Sequence, residues 1–251
     1  MNEIAALKLG GSVVTDKSGD CAIDHERLSA IAEVIAAPRA GQIVLVHGAG
    51  SCGHPEARQY HIQDGIDDGN LAGIYQTHTA VSRLNAAIVA ALRDAGCEAI
   101  GIHPLHLALA ENGRLAALET GHIREMLERG MVPVLHGDVV MDRVRGACIV
   151  SGDQIITHLA AHLPAGRVGL ATDVAGVLKE GAVMPVIDRK AAAAVTIGGS
   201  GNTDVTGGMG GKIAELLALA DRGIESHIFH VSRIGAFLDG TDHGGTIVRE
   251  K

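Results

Sequence analysis

The stretch Val44-Leu45-Val46-His47-Gly48-Ala49-Gly50-Ser51-Cys52-Gly53-His54 decides how the rest of the chain is read. Its apolar start, Ile43 to Val46, has the length and composition of a buried strand. The strand stops at a turn with glycines at 48, 50 and 53, and the turn ends on His54 and Pro55. Glycines there leave backbone N–H groups free to close on an oxyanion, as phosphate-cradling loops do. An imidazole beside a bound phosphate can donate a hydrogen bond and, when protonated, a positive charge. Read in isolation, an ordinary strand-to-helix turn fits the stretch equally well.

Other segments repeat the arrangement. Ile4 to Leu9 reads as a strand that carries Lys8 straight into Gly10-Gly11-Ser12. A buried lysine is costly unless it meets an anion, so Lys8 points to phosphate. Lys17 is close enough in sequence to swing back over the same turn. Thr206-Gly207-Gly208-Met209-Gly210-Gly211-Lys212 opens an apolar-periodic helix, Ile213 to Ala220, with small residues and a lysine where an anion would sit. Ser151-Gly152-Asp153 starts the helix Gln154 to His162. Thr172-Asp173-Val174-Ala175-Gly176-Val177 leaves a strand over 167–171 and suits a ribose or base contact, or simply a capped turn.

Between these segments the pattern is strand, glycine turn, helix. Asp24 caps a helix whose Leu28, Ile31, Ala32 and Ile35 share a face. Residues 70–95 form a long amphipathic helix stopped by Gly96. Strands are expected over 99–103, 132–135 and 226–231, hairpins at Asn112-Gly113 and around 143–146, a helix over 121–129 and a glycine-rich loop over 197–202. The order predicts an α/β fold, a mostly parallel, doubly wound sheet with its ligands beyond the carboxyl ends of the strands.

Composition narrows the function classes. The chain has 251 residues, 47% of them hydrophobic, which suits one large domain or two closely packed lobes. A net charge of -8 and 2% aromatic residues, with no basic stripe, argue against nucleic acid and anionic membranes as partners. No apolar run reaches membrane-spanning length, and Met1 to Ile4 has no signal-peptide character, so a cytoplasmic protein is expected. The four cysteines, 21, 52, 97 and 148, form no CxxC pair, so neither disulfides nor a zinc site is expected. The 14 histidines mostly stand singly, without His-Glu-x-x-His, which points away from a metal cluster. Neither a Walker sequence nor a dinucleotide-binding fingerprint is present.

Taken together, the five glycine-bearing motifs, from Lys8-Leu9-Gly10-Gly11-Ser12 to Thr206–Lys212, resemble the amino acid kinase superfamily in order and spacing. The Gly53-His54 ending, Thr77-His78 with Arg83-Leu84-Asn85, and Gly245-Thr246-Ile247-Val248 look like its isopentenyl phosphate kinase branch. The resemblance implies a three-layer αβα sandwich in one amino acid kinase domain, with an acceptor lobe over 1–163 and a nucleotide lobe over 164–251. It also implies ATP with Mg2+ as cofactors, the ion held mainly by nucleotide phosphates, a small phosphate monoester as substrate, and a homodimer.

By the same resemblance Lys8, Lys17, His54, Asp153 and Lys212 would be catalytic. Lys8 and Lys212 would flank the moving phosphoryl group, Lys17 would stabilise its charge and Asp153 would hold the lysines. Gly10, Gly11, Ser12, Ala49, Asp173 and Gly208, with Lys8 and Lys212, would meet the nucleotide. Gly48, Gly53, His54 and Gly152 would hold the acceptor phosphate, with Ile74, Val139 and Ile149 as walls for an apolar tail. Two positions depart from the branch: Cys52 replaces an aromatic beside His54, and Gly211 replaces a basic residue. Two rivals stay open, a kinase of the same fold acting on another phosphate or phosphonate, and a non-catalytic nucleotide sensor.

Overall fold

Strand β1 (Ile4–Leu9) places its side chains alternately on the two faces of a sheet, as extended backbone requires. Ile4 and Ala6 join one apolar cluster, Leu7 and Leu9 the other. Lys8 shares the face of Ile4 and Ala6, a placement that matters below. The chain was built as a computed structural model, which describes residues 3–16, 21–197 and 208–250. Lys17, residues 198–202 of the expected glycine-rich loop, and Thr206 lie outside the described residues.

Beside β1 run β2 (Gln42–His47), β3 (Ala99–Gly101), β6 (Val132–His136), β9 (Ala165–Thr172) and β13 (Ser226–His230), all parallel to it. Two edge strands, β12 (Val186–Ile187) and β14 (Thr246–Val248), run against them, giving the order β12-β14-β13-β9-β1-β2-β6-β3. A second sheet, ordered β5-β4-β7-β8, comes from two hairpins, β4 (Ala108–Glu111) with β5 (Arg114–Leu118) and β7 (Asp138–Asp142) with β8 (Gly146–Val150). Asn112 and Gly113 turn the first hairpin with φ of 49° and 82°, the left-handed pair that a tight two-residue turn needs. A short ribbon, β10 (Leu178–Lys179) with β11 (Ala182–Val183), completes the strands described.

Helices cover both faces of the large sheet. On one face α1 (Gly11–Val14), α2 (His25–Ala36), α4 (Ala72–Asp94) and α9 (Ile234–Leu238) bury Val13, Leu28, Ile31, Leu84, Ile88 and Phe237 against Leu7, Leu45 and Phe229. On the other, α5 (Gly121–Glu128), α6 (Gly152–His162) and α8 (Gly208–Ala220) bury Leu127, Ile155, Leu159, Ile213 and Leu216 against Ala6, Val46 and Leu170. The alternation of strand residues therefore splits the core into two layers, and the sandwich expected from the motif order is present. Two further helices are short, α3 (His54–Gln59) and α7 (Arg189–Ile197). No described helix is long and apolar enough to cross a membrane.

One expectation fails. Cys21 and Cys52 form a disulfide, although their spacing of 31 residues gave no sign of it. The backbone brings them together: a bridge between Thr15 and Ile23 folds the chain back after the first glycine turn. Thr15 Oγ1 then accepts the Ser51 N–H at 3.0 Å, tying that turn to the second one. Cys52 is fully buried in the core, not turned toward solvent. Cys97 and Cys148 are free thiols; burial raises both pKa values, that of Cys148 to about 12 with help from Asp142.

Thiol titration of the denatured, unreduced protein should find two reactive cysteines of the four, and all four after reduction. A loop of this length implies that Cys21→Ala with Cys52→Ala costs about 3–4 kcal/mol, a fall in Tm of roughly 10 °C. Four reactive thiols before reduction would refute the pairing.

Candidate active site

Parallel pairing aligns the strand exits in a row. Leu9 pairs with His47 on one side and Ala171 on the other, and His47 pairs with His136. The residues that follow, Gly10, Gly48, Gly137 and Thr172-Asp173, therefore emerge together on the rim of one cleft of about 1250 Å³. The first two turns touch backbone to backbone. A Cβ added to Gly11 would stand 2.2 Å from the nitrogen of Gly50. One added to Gly50, which sits at φ +58°, would stand 2.2 Å from Thr15 Oγ1. Side chains at either position would force the turns apart, so glycine is required by contact, not only by conformation.

The cleft floor holds a cation set. Lys8 is 5% exposed, and its Nζ donates to Asp153 Oδ1 at 2.6 Å. The other carboxylate oxygen, Oδ2, stands 3.7 Å from Lys212 Nζ, which also donates to the Gly208 carbonyl at 3.1 Å. Asp153 is held by its place in the first turn of α6, where Ser151 caps the helix by accepting from Gln154 N and the helix dipole favours an anion. Burial lowers the pKa of Lys8, Asp153 opposes that shift and Lys212 adds to it. Two ammonium groups share one carboxylate, which leaves positive charge unspent at the foot of the cleft. That arrangement suits a polyanion.

His54 opens α3 at the far wall, where Gly53 (φ +94°) reverses the chain and donates its N–H to Glu56 Oε2 at 3.0 Å. Partial burial and the nearby Arg58 lower the His54 pKa, with Glu56 opposing. The lowered pKa favours the neutral ring near pH 7. The hydroxyls of Ser51 and Thr77, on the same wall, are buried without a hydrogen-bond partner among the described residues.

Histidines expected to stand singly gather instead behind this wall. His47 and His136 end neighbouring parallel strands with ring centroids 5.4 Å apart, and His103 lies 5.1 Å from His136 and 5.3 Å from His78. They come from β2, β6, α4 and the loop after β3, so their proximity is a product of topology. His47 Nδ1 lies 3.0 Å from the Gly48 carbonyl while Asn85 donates to its Nε2, which places the ring proton on Nδ1. His136 likewise holds the Gly137 carbonyl at 3.0 Å. Burial above all pushes their pKa values down, to about 4 and about 3. Both rings are neutral struts for the glycine turns. Among the described residues, no group of three His, Cys, Asp or Glu side chains is arranged to hold a metal ion.

Of the residues singled out from sequence, Lys8, Gly10, Gly11, Ser12, Gly48, Ala49, Gly53, His54, Gly152, Asp153, Asp173, Gly208 and Lys212 all line this cleft. Ile149 lines it too. Val139 and Ile74 do not: Val139 is fully buried with Ala57, Ile62 and Ala147, and Ile74 packs on that cluster. Cys52, for all its closeness to His54, is also absent from the lining. Sequence reasoning missed Arg114, Glu215, Asp138 and Arg58, which stand on the cleft wall, and named Thr77 only as part of a motif, without a place in the site. Asp138 accepts from Val139 N and Leu105 N and binds His78 Nδ1 at 3.0 Å. The only signal for it was its place directly after a strand and glycine.

Two measurements follow from these charges. Asp153→Asn leaves Lys8 buried without its counter-charge and should cost about 3 kcal/mol near neutral pH. Because the Lys8 pKa is already lowered, the unfolded chain holds a proton there that the folded protein can shed; stability of the variant should therefore rise toward alkaline pH. A loss independent of pH would contradict the burial argument. For His47 and His136 the folded values lie below the unfolded 6.5, so stability should fall as pH drops from about 6.5 toward about 4. Urea unfolding should show a lower midpoint on the acid side of that window, and His136→Gln should lose part of the difference; identical midpoints across it would be the contrary result.

Known proteins can now be set beside this geometry. Residues 3–230 match the model of the Amino acid kinase family. The chain is 41% identical over 248 residues to the isopentenyl phosphate kinase of Haloferax volcanii, with 98% of each covered. To that of Methanothermobacter thermautotrophicus it is 40% identical, again with 98% of each covered. A crystal structure of an isopentenyl phosphate kinase superposes with a TM-score of 0.85 at 36% identity, covering 98% of this chain and 100% of the other. With a likeness of that extent, the chain belongs to the amino acid kinase family, on the branch of the isopentenyl phosphate kinases.

Proposed function

We propose that this protein transfers the γ-phosphoryl group of ATP to isopentenyl phosphate, giving isopentenyl diphosphate and ADP. The observation that carries the reading is the Lys8–Asp153–Lys212 set at the foot of a cleft with His54 on its far wall. Phosphoryl transfer asks the protein for positioning and charge neutralisation more than for covalent help. An oxygen of the acceptor phosphate attacks the γ-phosphorus as the bond to the β-phosphate oxygen breaks, and the two lysines neutralise charge on either side. The acceptor oxygen is already ionised, so no general base is needed. His54 then binds and orients, and does not abstract a proton.

The nucleotide side falls to Gly10, Gly11, Ser12, Ala49, Asp173, Gly208 and Lys212, and the acceptor phosphate to Gly48, Gly53, His54 and Gly152. An acceptor lobe (1–163) and a nucleotide lobe (164–251) meet along β1 and β9, and the first lobe also lends its glycine turns at 10–12 and 49 to the nucleotide. The bare glycine walls and lysines suit polyphosphate, and a Mg2+ ion carried on the nucleotide's phosphates supplies further neutralisation when bound. Lys17 keeps its proposed part in stabilising the transferred group. The isoprenoid tail rests against Ile149, with Val81 and Ala57 on the same wall. Cys52, the departure from the branch beside His54, is buried in its disulfide with Cys21 and does not line the cleft, which supports the phosphate-monoester reading over the phosphonate one. A cytoplasmic homodimer completes the proposal, supported by the family resemblance and by dependence on ATP.

Purified protein with Mg-ATP should convert isopentenyl phosphate to the diphosphate; ATP binding without turnover on it would overturn the reading. His54→Gln should lower kcat/KM for the acceptor by about 100-fold and leave the KM for ATP near its original value. Equal losses on both substrates would mean that the ring is structural. Since burial and Arg58 lower the His54 pKa and a dianion beside the ring raises it, acceptor binding takes up a proton. The acceptor KM should accordingly fall as pH drops from about 8 to about 6.5, and His54→Gln should flatten that trend.

A further inference from the structure

Arg114 and Glu215 both line the cleft and belong to different parts of the fold. Arg114 begins β5, in the small sheet; Glu215 lies on α8, one turn past Lys212. The guanidinium meets the carboxylate with both nitrogens, Nη1 to Oε1 at 2.5 Å and Nη2 to Oε2 at 3.1 Å. This fork geometry fixes orientation as well as distance. The next residue, Leu115, donates its N–H to Gln154 Oε1 at 2.8 Å, and Gln154 is the neighbour of Asp153.

The start of β5 is therefore fastened to both helices that carry the cation set, α6 beside Asp153 and α8 beside Lys212. It is itself rigid. The hairpin tip is held by Asp142, which accepts from Asn112 N at 3.1 Å and Gly113 N at 2.7 Å, and by Arg145, which donates to Asn112 Oδ1. The Lys212–Asp153 separation of 3.7 Å is, by contrast, loose for an ion pair, and Lys212 has a flexible four-carbon stem. Core packing of Ile213 and Leu216 seats the body of α8, which leaves a contact beyond the Lys212–Asp153 pair to fix where its Lys212-bearing turn stands.

We propose that Arg114 and Glu215 form a brace that sets the position of Lys212 over Asp153, so that both are positioning residues for phosphoryl transfer. The inference rests on the reading of the cleft as a phosphoryl-transfer site. Arg114 is 64% exposed at its side chain, and an ion pair so wetted adds little to stability. Its effect is geometric. A misplacement on the ångström scale at a phosphoryl-transfer site is enough to cost rate.

The brace makes a prediction that simple charge does not. If Arg114 and Glu215 only tuned the field in the cleft, Arg114→Gln would weaken nucleotide binding while Glu215→Gln, by removing a negative charge, would strengthen it. As a brace, both substitutions act in the same direction. Each should lower kcat about 10-fold, with the KM for ATP and acceptor changed little and Tm nearly unaltered. The double variant should be no worse than either single one, and the charge reversal Arg114→Glu with Glu215→Arg should recover much of the rate. Amine labelling of Lys212, read by peptide mass spectrometry, should rise severalfold in both single variants while that of Lys8 stays constant. That last readout needs no turnover, so it stands even if isopentenyl phosphate is not the acceptor. Additive losses, opposite signs in the two single variants, or unchanged Lys212 labelling would each overturn the brace.

Discussion

A lysine 5% exposed, at the end of a central strand, is costly unless an anion meets it, and the arrangement around it makes that burial tolerable. Lys8 is paired with Asp153 at 2.6 Å, but the same carboxylate also faces Lys212. One negative group cannot satisfy two positive ones. Burial lowers the Lys8 pKa and a second ammonium stands close, so around Asp153 positive groups outnumber negative ones, an arrangement that suits phosphate oxygens. Affinity for a polyanion is thus a consequence of how the core is built.

The fold supplies the geometry for this at several removes. Parallel pairing in register brings the ends of β9, β1, β2 and β6 to one level, so four turns open on the same side. Backbone contact between Gly11 and Gly50 draws two of these turns together, and the neutral rings of His47 and His136 brace two from behind. The Cys21–Cys52 disulfide ties the segment after the first turn to the segment that ends in His54. Cations, amides and imidazole thereby converge although they come from distant parts of the chain.

What could be read from sequence was whatever periodicity and local chemistry carry. The apolar run Ile4–Leu9 located Lys8 on a strand, Asn112-Gly113 announced its hairpin, and clusters of glycine after apolar runs marked the turns of the cleft. Features that depend on which strand lies beside which stayed hidden. The Cys21–Cys52 pairing needs the two turns to touch, the histidine group needs β2 beside β6, and Arg114 finds Glu215 only because a hairpin of one sheet reaches a helix of the other. Val139 looked like a pocket wall because it neighbours the Gly137-Asp138 turn, and Ile74 because it stands on the long helix; the packing of Ala57, Ile62 and Ala147 closes that surface over.

The central claim is that two phosphorylated molecules meet above the Lys8–Asp153–Lys212 set. A crystal structure with Mg2+, a non-hydrolysable ATP analogue and isopentenyl phosphate tests it most directly. The account predicts the γ-phosphate between the two lysine ammonium groups and the acceptor phosphate against the His54 imidazole, its oxygen facing the γ-phosphorus. An acceptor phosphate bound away from His54, or a nucleotide whose γ-phosphate touches neither Lys8 nor Lys212, would contradict it.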